Sequence, residues 1–202
     1  MYKARQEDLK ELKLIWKNIF KDTDEYIDLY FKERFSPDKT YVLRDKNKIT
    51  STLYYSDVKL YYKDNSYNCT DICGIATLPE YRGKNQASFL IKKCISDLKE
   101  KGYDLAFLIP ASLSLFEFYK KCGFKNFTAL NILNIDVNPS KEKYMSYKSF
   151  DILKSYADFE GLKPIRNEND FEILSRCYGK PYVFSDGYMY AYKEKETVYI
   201  PE

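Results

Sequence analysis

Apolar positions in the first part of the chain recur at helical spacing. Leu9, Leu12, Ile15, Trp16, Ile19 and Phe20 fall on one face of a helix predicted over 7–20. The stretch DEYIDLYFKERF (24–35) repeats the pattern with Tyr26, Ile27, Tyr30, Phe31 and Phe35, and Pro37 bars its continuation. Residues 2–5 read as a short strand. From residue 40 the period drops to two. TYVLRDKNKITSTLYY (40–55) predicts strand, polar turn at Asp45-Lys46-Asn47-Lys48, and strand. A further strand is predicted over 57–63, a turn at Asp64-Asn65-Ser66, and another strand over 67–78. Strict alternation on that last strand puts Asp71, Cys73, Ile75 and Thr77 on one face. Ile72, Gly74 and Ala76 take the other.

Helical spacing returns over 85–101, through Ala87, Leu90, Ile91, Cys94, Ile95 and Leu98, with Gly102 as the stop. YDLAFLIPA (103–111) reads as a buried central strand. A short helix at 113–122, Gly123 and a strand over 124–135 follow. This order predicts an α/β chain, a mixed sheet with helices packed on it. The polar stretch 136–150 marks a boundary, separating a domain over 1–137 from a C-terminal extension over 138–202. The extension carries a helix at 168–177 and then VFSDGYMYAYKEKETVYIPE, read as strand, turn, strand. It is either the start of a second, similar module or an unrelated appendage. So short a piece buries little core alone. Its last strand offers an edge for pairing, so a homodimer through the C-terminal strands or a docked hairpin is expected.

Composition narrows the chemistry. The 202 residues are 45% hydrophobic, enough for one large domain or a domain with an appendage. Lys and Arg number 33 against 30 Asp and Glu, and the charges are interspersed. That argues against a basic stripe for nucleic acid. No apolar stretch reaches membrane-spanning length, and the N-terminal residues show no secretory pattern. Five cysteines (Cys69, Cys73, Cys94, Cys122, Cys177) form no CxxC pair and fit a reducing compartment. A cytoplasmic location, with no nucleic-acid or membrane partner, is therefore expected. Cys69 and Cys73 lack a histidine or second cysteine pair to complete a tetrahedral site, so no metal is expected. The absence of histidine excludes Ser-His and Cys-His nucleophiles. Proton transfer falls to Asp, Glu, Tyr, Lys, Cys, a terminus or water.

One turn stands out. PEYRGKNQASFL (79–90) joins a predicted strand to a predicted helix. A helix start carries unpaired N–H groups and the positive end of the macrodipole, which suits a pyrophosphate. Arg82 and Lys84 add charge, and Gly83 permits close backbone approach. An ordinary solvated cap is the competing reading. ATLPEYRGKNQASFL resembles the acetyl-CoA motif of the GNAT N-acetyltransferases, R/Q-x-x-G-x-G/A. Arg82 and Ala87 match it, and Asn85 replaces the middle glycine. Asparagine enters the left-handed region more readily than other non-glycine residues. SLFEFYKKCGF (114–124) resembles the family's second signature, Y-x-x-x-G-F, at Tyr119, Gly123 and Phe124. The resemblance extends over about 1–135 in element order and over 67–124 in motif detail. It is similar in layout to the two-module, Eis-like bacterial members, with an incomplete second module.

This resemblance implies the GNAT fold: a mixed, mostly antiparallel central sheet with helices on both faces, here with a small C-terminal α/β extension. It implies acetyl-CoA as co-substrate and acetyl transfer by direct attack of a primary amine, carried by a small molecule or a peptide. The strand before the turn splays from its neighbour, so that Ile75, Ala76, Thr77 and Leu78 receive the pantetheine arm. Arg82, Gly83, Lys84, Asn85, Gln86, Ala87 and Ser88 surround the pyrophosphate. Ser112 and Ser114 either contact CoA or cap the following helix. Tyr119 supplies a proton to the departing thiolate. An acid eleven residues before Arg82 serves as base in some members, which points to Asp71; a water chain is the alternative. Tyr119 as a core tyrosine and Asp71 as a solvated strand end are the competing readings. The acidic and aromatic stretch at 20–36 (Asp22, Asp24, Glu25, Tyr26, Asp28, Tyr30) is a candidate wall for a cationic acceptor, or simply a polar helix face. A different function class also stays open: a catalytically degenerate GNAT-like module that binds CoA or another protein.

Overall fold

The computed structural model describes residues 2–126, 163–164, 166–183, 188–190, 192–194 and 197–199. The chain divides into two compact units, Met1–Phe127 and Thr128–Glu202. In the first unit, two helices come early: α1 (Leu9–Phe20) and α2 (Asp24–Glu33). Thr23 caps α2 by accepting from the Tyr26 amide, and two acids in its first turn complement the helix dipole. The predicted strand at 2–5 is reduced to a bridge between Lys3 and Tyr41.

The sheet runs β1 (Thr40–Asp45), β2 (Lys48–Tyr62), β3 (Asn65–Thr77) and β4 (Leu105–Phe107), in that spatial order. The first two pairings are antiparallel and β3–β4 is parallel. The separate strand expected over 57–63 does not exist. Ser56 and Asp57 stay in register with Asp71 and Thr70, so β2 is continuous. The polar pair is held within the ladder: Thr70 Oγ1 donates to Ser56 O, and Asp57 accepts from Lys39 and Tyr103. Lys63 and Asp64 both have positive φ, as a two-residue hairpin turn between twisted strands demands.

Helices cover both faces. α1 and α2 pack Leu12, Ile15, Trp16, Ile27 and Phe31 against Val42, Ile49, Tyr54 and Ala76. On the other face, α3 (Gln86–Glu100) packs Leu90, Ile91, Cys94 and Leu98 against Tyr41, Leu53, Tyr55 and Ile72. Burying each such aliphatic side chain contributes roughly 1.5–3 kcal/mol. α4 (Ser114–Lys121) sends Phe118 and Tyr119 toward this second core.

Two irregularities interrupt the ladders of the sheet. Between β2 and β3 the register shifts, so that Gly74 and Ile75 together oppose Leu53. Gly74 has φ +56°, the left-handed first residue of a glycine bulge. The bulge swaps the faces of β3. Cys73 and Ala76 lie with α1 and α2, whereas Ile72 and Ile75 lie with α3. The strict alternation read from the sequence fails here: Ile75 does not share a face with Cys73. A second shift, between Leu43 and Arg44 of β1, leaves Thr50 as the extra residue of β2.

The stretch predicted as a buried central strand pairs only over Leu105–Phe107, half-buried, and Ile109 beyond it is 74% exposed. Its apolar run continues past the point where β3 turns away. The strand expected over 124–135 and the polar boundary at 136–150 lie, from residue 127 on, outside the described residues.

In the second unit, α5 (Glu168–Tyr178) opens with a reciprocal cap between Asn167 and Asp170. The expected single hairpin is two short ones: Tyr182–Val183 with Tyr188–Met189, and Tyr192–Glu194 with Thr197–Tyr199. Among the described residues, no helix is long and apolar enough to cross a membrane.

Candidate functional site

The turn at 79–86 is built to leave a helix start open. Pro79 begins a single 3-10 turn through Tyr81, and the Arg82 amide closes it on Pro79 O at 3.2 Å. Gly83 (φ +76°) and Asn85 (φ +57°) then reverse the chain. Asn85 holds the left-handed backbone that its motif position calls for. The first helical bond of α3 runs from the Phe89 amide to Asn85 O. The amides of Gln86, Ala87 and Ser88 precede it, no side chain among the described residues caps them, and the first turn holds no acid. Such a helix start favours an anion. Residues 82–85 are exposed and Gln86, Ala87 and Ser88 half-buried.

Several bonds stake this turn to the sheet. Tyr81 donates to Asp45 (2.9 Å) and Lys48 to Glu80 (2.7 Å), tying it to the β1–β2 turn. The Lys48 bond lowers the Glu80 carboxyl below its usual range. Arg82 Nε donates to Thr77 O at 3.2 Å, and Lys84 Nζ lies 5.0 Å from the centre of the Tyr81 ring. Gln86 Oε1 accepts from Thr50 Oγ1 (2.9 Å) and Ser51 Oγ (2.7 Å), and Ser51 also bonds Thr77 Oγ1 (2.8 Å). Sequence reasoning missed Asp45, Lys48, Thr50, Ser51, Glu80 and Tyr81. Their partners are distant in sequence, and only the tight D-K-N-K turn hinted at a nearby surface.

Beside the turn lies a gap in the sheet. β3 and β4 pair from Cys69–Leu105 to Asp71–Phe107 and then part. Among the described residues no strand pairs with β3 on that side over 72–77. This open edge contains Ile75, Ala76 and Thr77, and Leu78 follows, its amide bonded to Thr50 O. Thr52 Oγ1 donates to Gly74 O at 3.1 Å. The open edge and the free helix start thus adjoin, one suited to an amide-bearing arm and the other to an anion.

The two proposed proton-transfer residues are on opposite faces. Tyr119 is half-buried with the α3 core, between Phe118 and Phe124 at ring distances of 5.2 and 6.0 Å. Burial raises its hydroxyl, and the nearby Cys122 adds to this. Asp71 precedes the bulge by three residues and shares the α1–α2 face with Cys73. Burial raises its carboxyl, and Arg34 opposes that shift. Beside it, Tyr30 and Cys73 make a 3.2 Å contact from hydroxyl to sulfur. Burial drives the Cys73 thiol up to about 11.

Three of the four acids named as drawing a cationic acceptor have partners within the first unit. Asp22 accepts from Trp16 Nε1 (2.7 Å), Asp24 from Lys17 (2.7 Å) and Asp28 from Lys13 (2.6 Å). Ser112 and Ser114 bond each other at 2.9 Å, and α4 has no side-chain cap. Among the described residues, no cluster of His, Cys, Asp or Glu could hold a metal ion.

Residues 1–127 match the Acetyltransferase (GNAT) domain family. The chain belongs to the GNAT acetyltransferase family. The four-stranded mixed sheet flanked by helices is the GNAT fold. No curated protein matches the chain in sequence. Solved structures do. A GCN5-related N-acetyltransferase from Anabaena variabilis is 22% identical over 58% of this chain, with a TM-score of 0.52, and this chain spans only 30% of its length. Glucosamine-6-phosphate N-acetyltransferase from Arabidopsis thaliana is 21% identical over 67% of this chain and 98% of its own, with a TM-score of 0.51. A predicted acetyltransferase from Clostridium acetobutylicum, solved with acetyl-CoA, is 22% identical over 65% of this chain and 93% of its own, with a TM-score of 0.54. At these identities the likeness is one of fold. In this GNAT domain the second motif, Tyr119 to Phe124, closes α4: the Phe124 amide bonds Tyr119 O, and Gly123 takes φ +100°.

Proposed function

We propose that this GNAT domain transfers an acetyl group from acetyl-CoA to a primary amine. The observation that carries the reading is the junction of an open β3 edge with an uncapped, acid-free helix start. Pantetheine amides would pair along residues 75–77, since the Leu78 amide is bonded to Thr50 O and its carbonyl to the Tyr81 amide; the pyrophosphate would meet the amides of 86–88 with Arg82 and Lys84 nearby. The amine nitrogen attacks the thioester carbonyl and forms a tetrahedral oxyanion. Its collapse breaks the C–S bond, Tyr119 protonates the CoA thiolate, and the amine proton leaves to water or Asp71. Burial keeps the Tyr119 proton in place until the thiolate appears. A positioned acid of this kind contributes ~10²–10⁴-fold in rate. The second unit, in this reading, is the beginning of an Eis-like second module.

The test is direct. Acetyl-CoA at about 100 times its Kd should stabilise the protein by ~2.7 kcal/mol. No thermal shift at millimolar acetyl-CoA would sink the proposal. Release of free CoA thiol across a panel of small amines and lysine peptides then identifies the acceptor class. Binding without thiol release from any amine would instead support a non-catalytic CoA-binding module. The internal pairing of Asp22, Asp24 and Asp28 favours that second reading, since it leaves these acids committed elsewhere.

A further inference from the structure

In a regular strand, neighbouring side chains point to opposite faces. Thr50 and Ser51 are neighbours on β2, yet both hydroxyls reach one atom, Gln86 Oε1, at 2.9 and 2.7 Å. The register shift at Thr50 makes this possible, since it inserts one extra residue opposite the Leu43–Arg44 step of β1. Bulges of this kind re-aim side chains. Both hydroxyl-bearing residues are sealed from solvent, Thr50 at 1% exposure and Ser51 at 0%. The same cluster holds the end of β3 on both its groups: Ser51 bonds Thr77 Oγ1, and Thr50 O accepts the Leu78 amide. Three pieces therefore converge on residues 50–51: the central strand, the last residues of β3, and the first residue of α3.

We propose that Gln86 is a positioning residue, latched by the Thr50 bulge, that fixes the free amides of α3 relative to the open edge of β3. This rests on the acetyl-CoA reading above and deepens it. Gln86 need not touch the cofactor. Its side chain is committed to the sheet, and it sets the spacing between the two parts of one ligand, the amide arm on β3 and the pyrophosphate on α3. A ligand that bridges both parts depends on that spacing. A ligand that uses only β3 does not.

The test compares coenzyme A with pantetheine, which lacks the pyrophosphate, on the full chain by calorimetric titration. The variant Thr50→Val/Ser51→Ala removes both donors without altering any exposed surface. It is expected to weaken coenzyme A about tenfold and to leave pantetheine within about twofold, within the range of coupling for one hydrogen-bond network. Gln86→Leu should show the same split. The proposal is overturned if Gln86→Leu loses coenzyme A while Thr50→Val/Ser51→Ala binds it normally, since Gln86 would then be a direct contact. An equal loss of both ligands overturns it too, as general damage to the fold. If the wild type binds neither ligand, the cofactor reading fails by itself. Amide exchange at Phe89 and Leu90, in the first bonded turn of α3, then decides the latch: faster exchange in Thr50→Val/Ser51→Ala supports it, and unchanged exchange refutes it.

Discussion

Replacing Gly74 by alanine tests whether the bulge in β3 is imposed by its surroundings. A Cβ on Gly74 would lie 2.8 Å from Cζ3 of Trp16 and 2.9 Å from Cε2 of Tyr54, and would also meet Cδ2 of Tyr54. Neither ring can step aside freely. Trp16 packs against Tyr54 at 5.3 Å, Tyr30 at 4.4 Å and Phe31 at 5.7 Å, and its Nε1 is held by Asp22. The backbone adds a second cost. At φ +56° an L-residue pays ~1–2 kcal/mol that glycine does not. Overpacking of a filled core costs ~1–3 kcal/mol. Together they predict a loss of about 2–5 kcal/mol, a large share of the ~5–15 kcal/mol by which domains are stable.

Urea unfolding followed by Trp16 emission measures this directly, because Trp16 is the one tryptophan in the chain. With a mid-range slope of ~2 kcal/mol/M, the midpoint should fall by roughly 1–2.5 M at unchanged slope. The double variant Gly74→Ala/Tyr54→Leu separates the two costs. Relative to Tyr54→Leu alone it should recover the Tyr54 share of the steric part, leaving the Trp16 contact and the backbone part of ~1–2 kcal/mol. A Gly74→Ala midpoint within about 0.2 M of wild type would refute the reasoning, since it would mean that the bulge relaxes at no cost.

Other outcomes rest on the same structure. Among the described residues the buried Lys3 amine has no hydrogen-bond partner; it lies 3.2 Å above the Tyr41 ring, and burial, then Lys101, lowers it to about 8. Its charged form therefore costs stability below pH 8, and that cost fades as pH rises from about 8 to the unfolded value of 10.5. After discounting for partial solvation and the lost cation–π contact, Lys3→Met should gain about 1 kcal/mol at pH 7 and nothing above about pH 11, read as the melting temperature against pH. A variant less stable than wild type at pH 7 would show that the ring attraction outweighs burial. Tyr119→Phe should slow thiol release ~10²-fold or more at unchanged acetyl-CoA affinity; equal turnover removes Tyr119 from the mechanism. Asn85→Gly keeps the left-handed turn at no steric cost; tighter acetyl-CoA binding would mean that the asparagine crowds the phosphate, and weaker binding would make it a contact.

The helices and the first hairpin turn were legible because each depends on residues close in sequence. Leu12, Ile15 and Trp16 repeat at helical spacing, and Asp45 to Lys48 carry their own turn chemistry. The bulges at Thr50 and Gly74 were not legible. A bulge belongs to a pair of strands, and period-two reading assumes that none occurs. One such residue moved Ile75 to the far side of the sheet from Cys73. The proposal of an anion site at the turn around Arg82 came from its own residues, and Asn85 adopts the conformation anticipated for it. The bonds that hold the turn in place, from Asp45, Lys48, Thr50 and Ser51, depend on register and so stayed hidden. β4 was overestimated for a related reason: an apolar run gives its length but not where its neighbour departs.

The open start of α3 also bears on how this protein could be improved or degraded by selection. An acid in that first turn would favour the helix dipole by ~0.3–1 kcal/mol. The same charge would repel a bound phosphate. On the acetyl-CoA reading proposed above, a screen for heat resistance run without cofactor would reward such changes, and each round would enrich sturdier proteins with a poorer grip on acetyl-CoA. Including the cofactor during heating reverses that pressure, because only variants that still hold it gain its stabilisation.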